Sequence, residues 1–321
     1  MESNAAGGGG RGGGGGGGGG ATEAQPLTVE LREKTKGLHG KTDRLVQLGL
    51  FSVLDYQIYR QILLGFYYVF RTVEEEYEKH LKSSKVHPWV LHAHSPDLRR
   101  TEAFEADLVY FYGTDWKEHV SPSKPVLEYM DHIRDIAKRN PEKLVAYPAT
   151  IYLGIFFGGQ ITRSKIIKST HFFPSPPDKK LGGENDNGIA IFTFRENTKK
   201  DTVTAGEGGG GGVVVGEGGE NTITTRNKKL DPNKVKNTLK ERLNSIPGID
   251  DRTETAMTAR QAIVQEAQEI FVRNMDLMTN VQGVSKVWTR WIIRFFLYLV
   301  IVVALYQIAF NRSFGNDPNI S

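Results

Sequence analysis

The sequence predicts an all-α fold that carries one helix long enough to cross a membrane. Three observations carry that expectation. Apolar residues recur at helical spacing through most of the chain from Leu27 to Gln282. Residues 291–310, WIIRFFLYLVIVVALYQIAF, are apolar apart from Arg294 and Gln307. No segment of useful length alternates apolar and polar residues as a half-buried strand does.

Two glycine tracts stand apart from this pattern. Residues 7–20 hold 13 of the 36 glycines, and residues 206–219 hold nine more. Such runs lose maximal backbone entropy on ordering and have no side chains to bury. Residues 1–26 are therefore expected to form a disordered N-terminus. Residues from about 195 to 228 are expected to form a disordered insertion within a helical domain spanning 27–282. Roughly 250 residues remain, enough for one substantial core. The net charge of +4 is small and no dense basic block carries interleaved aromatics, so no nucleic-acid partner is expected. With no cysteine, disulfides, thiolate catalysis and zinc–thiolate sites are excluded.

The elements follow in order. Leu27, Leu31, Leu38, Leu45 and Leu48 approximate a helical period over 27–48. Asp55 caps a long aromatic-rich helix over 56–81. Ser95 or Asp97 begins a third, and SPSKPVLEYMDHIRDIAKRN opens a fourth with prolines suited to a first turn. Pro141 starts PEKLVAYPATIYLGIFFGGQITRSKIIK, which Pro148 should kink. Residues 174–188 read as a loop, and IAIFTF (189–194) as a short extended piece. Helices resume over 231–246, with Asp231 as cap and Pro232 behind it, and over 252–282.

At the C-terminus, residues 283–290 read as a linker and 291–310 as a single-pass tail anchor about 30 Å long. Trp288, Trp291, Tyr298 and Tyr306 supply interfacial aromatics, and Lys286, Arg290 and Arg294 crowd the N-terminal flank. That charge bias places the large N-terminal part in the cytosol and residues 311–321 across the membrane as a short luminal tail. No apolar run follows Met1, so no signal peptide is expected.

The stretch YLGIFFGGQ raises a chemical question. Gly154, Gly158 and Gly159 sit among helix-compatible neighbours, and each costs on the order of 0.8–1 kcal/mol against alanine in a helix interior. Close packing on a second helix explains them, and so does a flat cofactor lying on bare backbone. A membrane span does not, because Arg163, Lys165 and Lys168 follow too soon. His39, with Asp43 one turn on, is a candidate iron ligand or a core histidine. Arg32 and Lys36, and later Lys236 and Lys240, are each spaced to share a helix face, either as carboxylate clamps or as solvated surface.

In combination these signals are specific. LREKTKGLHGKTD, LVAYPATIYLGIFFGGQ, FTF, VKNTLKERLNS and EAQEIFVRNMDLM occur in the order of the haem oxygenase family, which the chain resembles from about Leu27 to Gln282 apart from the Gly-rich insertion. The C-terminal anchor is similar to that of eukaryotic members. The resemblance implies a helical domain that degrades haem, its substrate and cofactor, with O2 to biliverdin, iron and carbon monoxide. It implies electrons from an NADPH-dependent flavoprotein reductase and a place on the cytosolic face of the endoplasmic reticulum membrane, held by lipid around the C-terminal helix. By the same resemblance His39 is the proximal iron ligand, and Gly154, Gly158 and Gly159 lay the distal helix across the other haem face. Arg32, Lys36, Lys236 and Lys240 are positions beside the propionates, and Phe271 and Asn274 are pocket-wall positions. One residue departs from the pattern. Relatives usually carry an aspartate after the first distal glycine, where it holds a proton-delivering water network, and this chain has Ile155. Isoleucine offers no hydrogen bond; Tyr147, Thr150, Tyr152 and Asn274 are the candidates to order water instead. The alternatives are a haem-binding or peroxidase-like protein that leaves the ring closed, and a tail-anchored interaction protein without cofactor.

Overall fold

A computed structural model describes residues 25–38, 40, 55–168, 182, 186–195 and 228–314. His39, Asp43 and both glycine tracts lie outside the described residues. Among the described residues no strand forms; there are only isolated bridges, Gly182 with Asn187 and Arg195 with Lys229. The all-α expectation holds.

Helix α1 (27–38) buries Leu27, Leu31 and Thr35, one residue per turn. Its position is set from outside. The Thr28 N–H donates to Asn244 Oδ1 at 3.0 Å, Gln268 Nε2 donates to the Lys34 carbonyl at 3.1 Å, and Arg260 pairs with Glu30 at 2.7 Å. Helix α2 (Tyr56–Lys82) starts where predicted, with Asp55 Oδ1 accepting the Gln57 N–H at 2.9 Å. It packs on α4 (Thr101–Tyr112) and α6 (Lys124–Arg139) through Tyr67, Phe70, Val73 and Tyr77. Between them lie α3 (Pro88–Ala93) and the short α5 (Trp116–His119).

The start of α4 differs from the expectation. Ser95 caps only a 3-10 turn at Pro96–Leu98, and α4 begins at Thr101. The reason lies in α2. Glu74, buried, accepts the backbone N–H groups of Arg100 and Thr101 at 2.6 and 3.3 Å and the Thr101 hydroxyl at 2.6 Å. A distant carboxylate thus satisfies the first turn of a helix that lacks its own side-chain cap.

The glycine-bearing stretch stays helical from Pro141 to Lys168, but its pitch changes. A 3-10 turn at Pro141–Val145 gives way to wide π turns at Pro148–Tyr152 and Ile155–Gly159, and then to α7 (Gln160–Lys168). The expected disturbance at Pro148 is a widening: proline brings no N–H to an α-type ladder, and a wide turn absorbs the loss. Helix α8 (Pro232–Asn244), capped by Asp231, and α9 (Glu254–Thr279), capped by Thr253, close the body.

Helix α10 (Val284–Phe314) follows after a turn at Gly283. Two described helical stretches are long and apolar enough to cross a membrane. Pro141–Lys168 is largely buried in the body, whereas no part of the apolar window of Val284–Asn311 is buried. Residues 283–290, read from sequence as a linker, belong to α10 from Val284 onward.

Candidate active site

The structure divides the three distal glycines. Gly154 and Gly158 are exposed, one turn apart, and a Cβ added to either meets no atom within 4 Å. Gly159 is buried, and its added Cβ would lie 3.0 Å from Phe192 Cδ1. Only Gly159 is therefore explained by close packing. At Gly154 and Gly158 nothing within the described protein requires glycine, so the helix presents open backbone along one face. Phe157 lies on that face, half exposed between the two glycines.

Lys236 and Lys240 on α8 converge there. Their ammonium groups stand 5.2 and 5.5 Å from the Phe157 ring centroid, over the edge of the bare face. The two lysines share a helix face, as their spacing predicts, and that face puts two cations beside Phe157. Arg32 and Lys36 lie on the exposed side of α1. Phe271 is half-buried on α9, three residues after Gln268, so it shares the α9 face that meets α1. Asn274, a further turn along, accepts the Tyr129 hydroxyl at 3.3 Å.

Ile155 does not share the open face. It is buried, with its Cγ2 beneath Gly159. The hydroxyls considered as replacements for an aspartate there are engaged elsewhere. Tyr147 donates to Glu266 at 3.1 Å, Thr150 to the Ala146 carbonyl at 2.7 Å, and Tyr152 to Glu74 at 3.2 Å. Burial pushes the Glu74 carboxyl up, against the pull of its bonds from Thr101 and Arg100.

The support behind the distal helix comes from the FTF segment together with Asp107 and Arg100, which motif reading did not single out. IAIFTF is not an extended piece: Ala190–Phe192 coils into a 3-10 turn, and only Thr193 onward is extended. Asp107 is the cause, for its two oxygens accept the Ala190 and Ile191 N–H groups at 2.8 and 3.0 Å. Burial pushes the Asp107 carboxyl up to about 7, against those two donors. The turn presses Phe192 under Gly159, and its carbonyl takes the Gln160 side-chain amide at 2.9 Å. Phe194 stacks on Phe156 at 4.2 Å, and Arg100 covers Phe194 at 4.0 Å while donating to the Thr193 carbonyl at 2.7 Å. Burial lowers the Arg100 guanidinium to about 10. Phe157 was legible from the helical wheel, three residues after Gly154; Asp107 carried no local signal.

The sequence model of the haem oxygenase family matches residues 25–202, more than half of the chain. The chain belongs to the haem oxygenase family. Haem oxygenase 1 of Synechocystis is 28% identical over 260 residues, covering 80% of this chain and 85% of that protein. Haem oxygenase 1 of Gallus gallus is 30% identical over 177 residues, 53% of this chain and 54% of that one. The crystal structure of the Synechocystis haem oxygenase-1, solved in complex with haem, superposes with a TM-score of 0.59 at 26% identity, covering 86% of this chain and all of that one. Family membership supports haem degradation as the general activity.

The described residues fit a porphyrin in three respects. Bare backbone at Gly154 and Gly158 leaves room for a flat ring, Phe157 and Phe271 supply apolar surface, and Lys236 and Lys240 supply cations for a dianionic edge.

Proposed function

We propose that this protein is a membrane-anchored haem oxygenase that converts haem to biliverdin, ferrous iron and carbon monoxide, using O2 and electrons from an NADPH-dependent flavoprotein reductase. The observation that carries the reading is the open backbone at Gly154 and Gly158, which no contact within the described fold explains. Haem is at once the substrate and the source of the redox iron. The protein's own part is positioning. His39, the residue that follows α1 in sequence, is assigned as the iron ligand; α1 itself is set against α9 by Arg260 and Gln268. The Gly154–Gly158 face takes the opposite side of the ring. Lys236 and Lys240 orient the propionates, with Arg32 and Lys36 at the other basic positions. Gly159 acts differently from its neighbours: it lets Phe192 press up from beneath and hold the bare face in place. Helix α10 spans the endoplasmic reticulum membrane, with the domain in the cytosol.

A second reading, haem binding without ring opening, is favoured by one observation. The Ile155 side chain carries no polar atom, and the hydroxyls of Tyr147, Thr150 and Tyr152 donate to Glu266, the Ala146 carbonyl and Glu74. An aerobic turnover assay separates the two. The detergent-solubilised protein is loaded with haem and supplied with a flavoprotein reductase and NADPH. Biliverdin and chelatable ferrous iron in stoichiometric yield support ring opening. A Soret band that persists, with peroxide-dependent oxidation of an added phenol, supports the second reading.

A further inference from the structure

The base of α10 is bound to the body, and the register of its contacts is regular. Gln61 and Gln282 exchange two hydrogen bonds: Gln61 Nε2 donates to the Gln282 carbonyl and the Gln282 N–H donates to Gln61 Oε1, each at 3.0 Å. Gly283, with φ of +87°, makes the turn beside Ile58. Val287 is buried. Arg290 then reaches Asp55 Oδ2 at 2.8 Å, while the other oxygen of that carboxylate caps α2. As α10 advances from 282 to 290, its partners on α2 step back from 61 to 58 to 55. The two helices therefore run antiparallel along the first turns of α2, and α10 leaves the body at the α2 N-terminus. Its exposed apolar run begins at once, from Ile292.

We propose that α10 is a rigid strut and that the end of the domain formed by the α2 N-terminus is apposed to the headgroups of a lipid bilayer. The proposal rests on the reading of α10 as a membrane span. Asp55 sits within about one helical turn of the first apolar residues, which places it at headgroup depth. Arg290, one of the three flanking cations, is neutralised by Asp55 and fixes the angle of the helix, leaving Lys286 and Arg294 to meet anionic lipid. Helix α2, 27 residues and about 40 Å long, then stands away from the membrane with Lys82 at its far end. A flexible tether would let either end approach the lipid; a strut allows only one.

The absence of cysteine makes the test direct. Single cysteines are introduced by Gln57→Cys, Lys82→Cys and Tyr306→Cys in the full-length chain, labelled with a fluorophore and reconstituted into phosphatidylcholine–phosphatidylserine vesicles. Quenching by lipids that carry a nitroxide on the headgroup or deep in the acyl chain is then measured. Strong acyl-chain quenching at position 306 establishes the span; its absence refutes the membrane reading and the proposal with it. Given the span, the proposal expects headgroup quenching at position 57 to exceed that at position 82 by at least about fivefold. Arg290→Gln should lower that ratio, and six Gly/Ser residues inserted after Gln282 should bring it close to one. A ratio near one in the native chain, or a ratio that the insertion leaves unchanged, overturns the strut while leaving the span intact.

Discussion

Replacing Gly154 and Gly158 by alanine should stabilise the empty protein and weaken haem binding together. Gly154 has α-helical backbone at the start of the π turn and Gly158 lies within that turn, and a Cβ at either meets nothing within 4 Å. Alanine therefore recovers most of the intrinsic helix preference, about 0.8–1 kcal/mol at each site. If the two gains simply add, the pair should gain roughly 2 kcal/mol. For a domain of this size that corresponds to a rise of about 4–8 °C in Tm. A porphyrin on that face would meet two new methyl groups. Overpacking of that kind costs about 1–3 kcal/mol, a loss of affinity of roughly 5- to 150-fold. Gly159→Ala gives the opposite balance, because its Cβ would press on the Phe192 ring at 3.0 Å and destabilise the empty fold by about 1–3 kcal/mol. Thermal unfolding of the haem-free protein and a Soret titration of each variant supply both numbers. A double variant that melts lower than the native chain, or that binds haem unchanged, refutes the reasoning.

Three further outcomes follow from the same geometry. Asp107 has a folded-state pKa of about 7, raised by burial above the ordinary carboxylate value, so the native state binds its proton more tightly than the unfolded chain. Ionisation of the same carboxyl in the unfolded chain thus removes stability as pH rises from about 4 to 7, at up to about 1.4 kcal/mol per pH unit; urea unfolding across that range should show this slope in the native protein and its loss in Asp107→Asn. The double variant Lys236→Gln with Lys240→Gln should bind haem about 10-fold more weakly yet bind haem dimethyl ester like the native protein, since the ester removes the charges the lysines meet. Ile155→Asp places a carboxylate at a buried apolar position and should destabilise the fold by about 2–4 kcal/mol in denaturant titration; an unchanged midpoint would show that the side chain had turned to the open face.

The sequence was most informative where physics is local. The Asp55 and Asp231 caps, the prolines of first turns and the apolar helical period act within a few residues, and the helices form where those signals stand. It was least informative where a distant side chain decides. Nothing near Thr101 announces that Glu74 begins α4, and nothing in IAIFTF announces that Asp107 coils it. The site shows the same division. Three glycines at helical spacing were visible, but their separation into an open pair and a packed third depends on Phe192, more than 30 residues away. Residues 283–290 read from sequence as a linker; Asp55, far off in sequence, turns one of their charges into a fastening.

The central claim is that a porphyrin lies between His39 and the bare backbone at Gly154 and Gly158. Structure determination of the haem-loaded protein tests it most directly. The account predicts iron within bonding distance of a His39 imidazole nitrogen and the opposite ring face in van der Waals contact with the Cα atoms of Gly154 and Gly158. Iron held by another side chain, or a ring seated away from those two glycines, would contradict it.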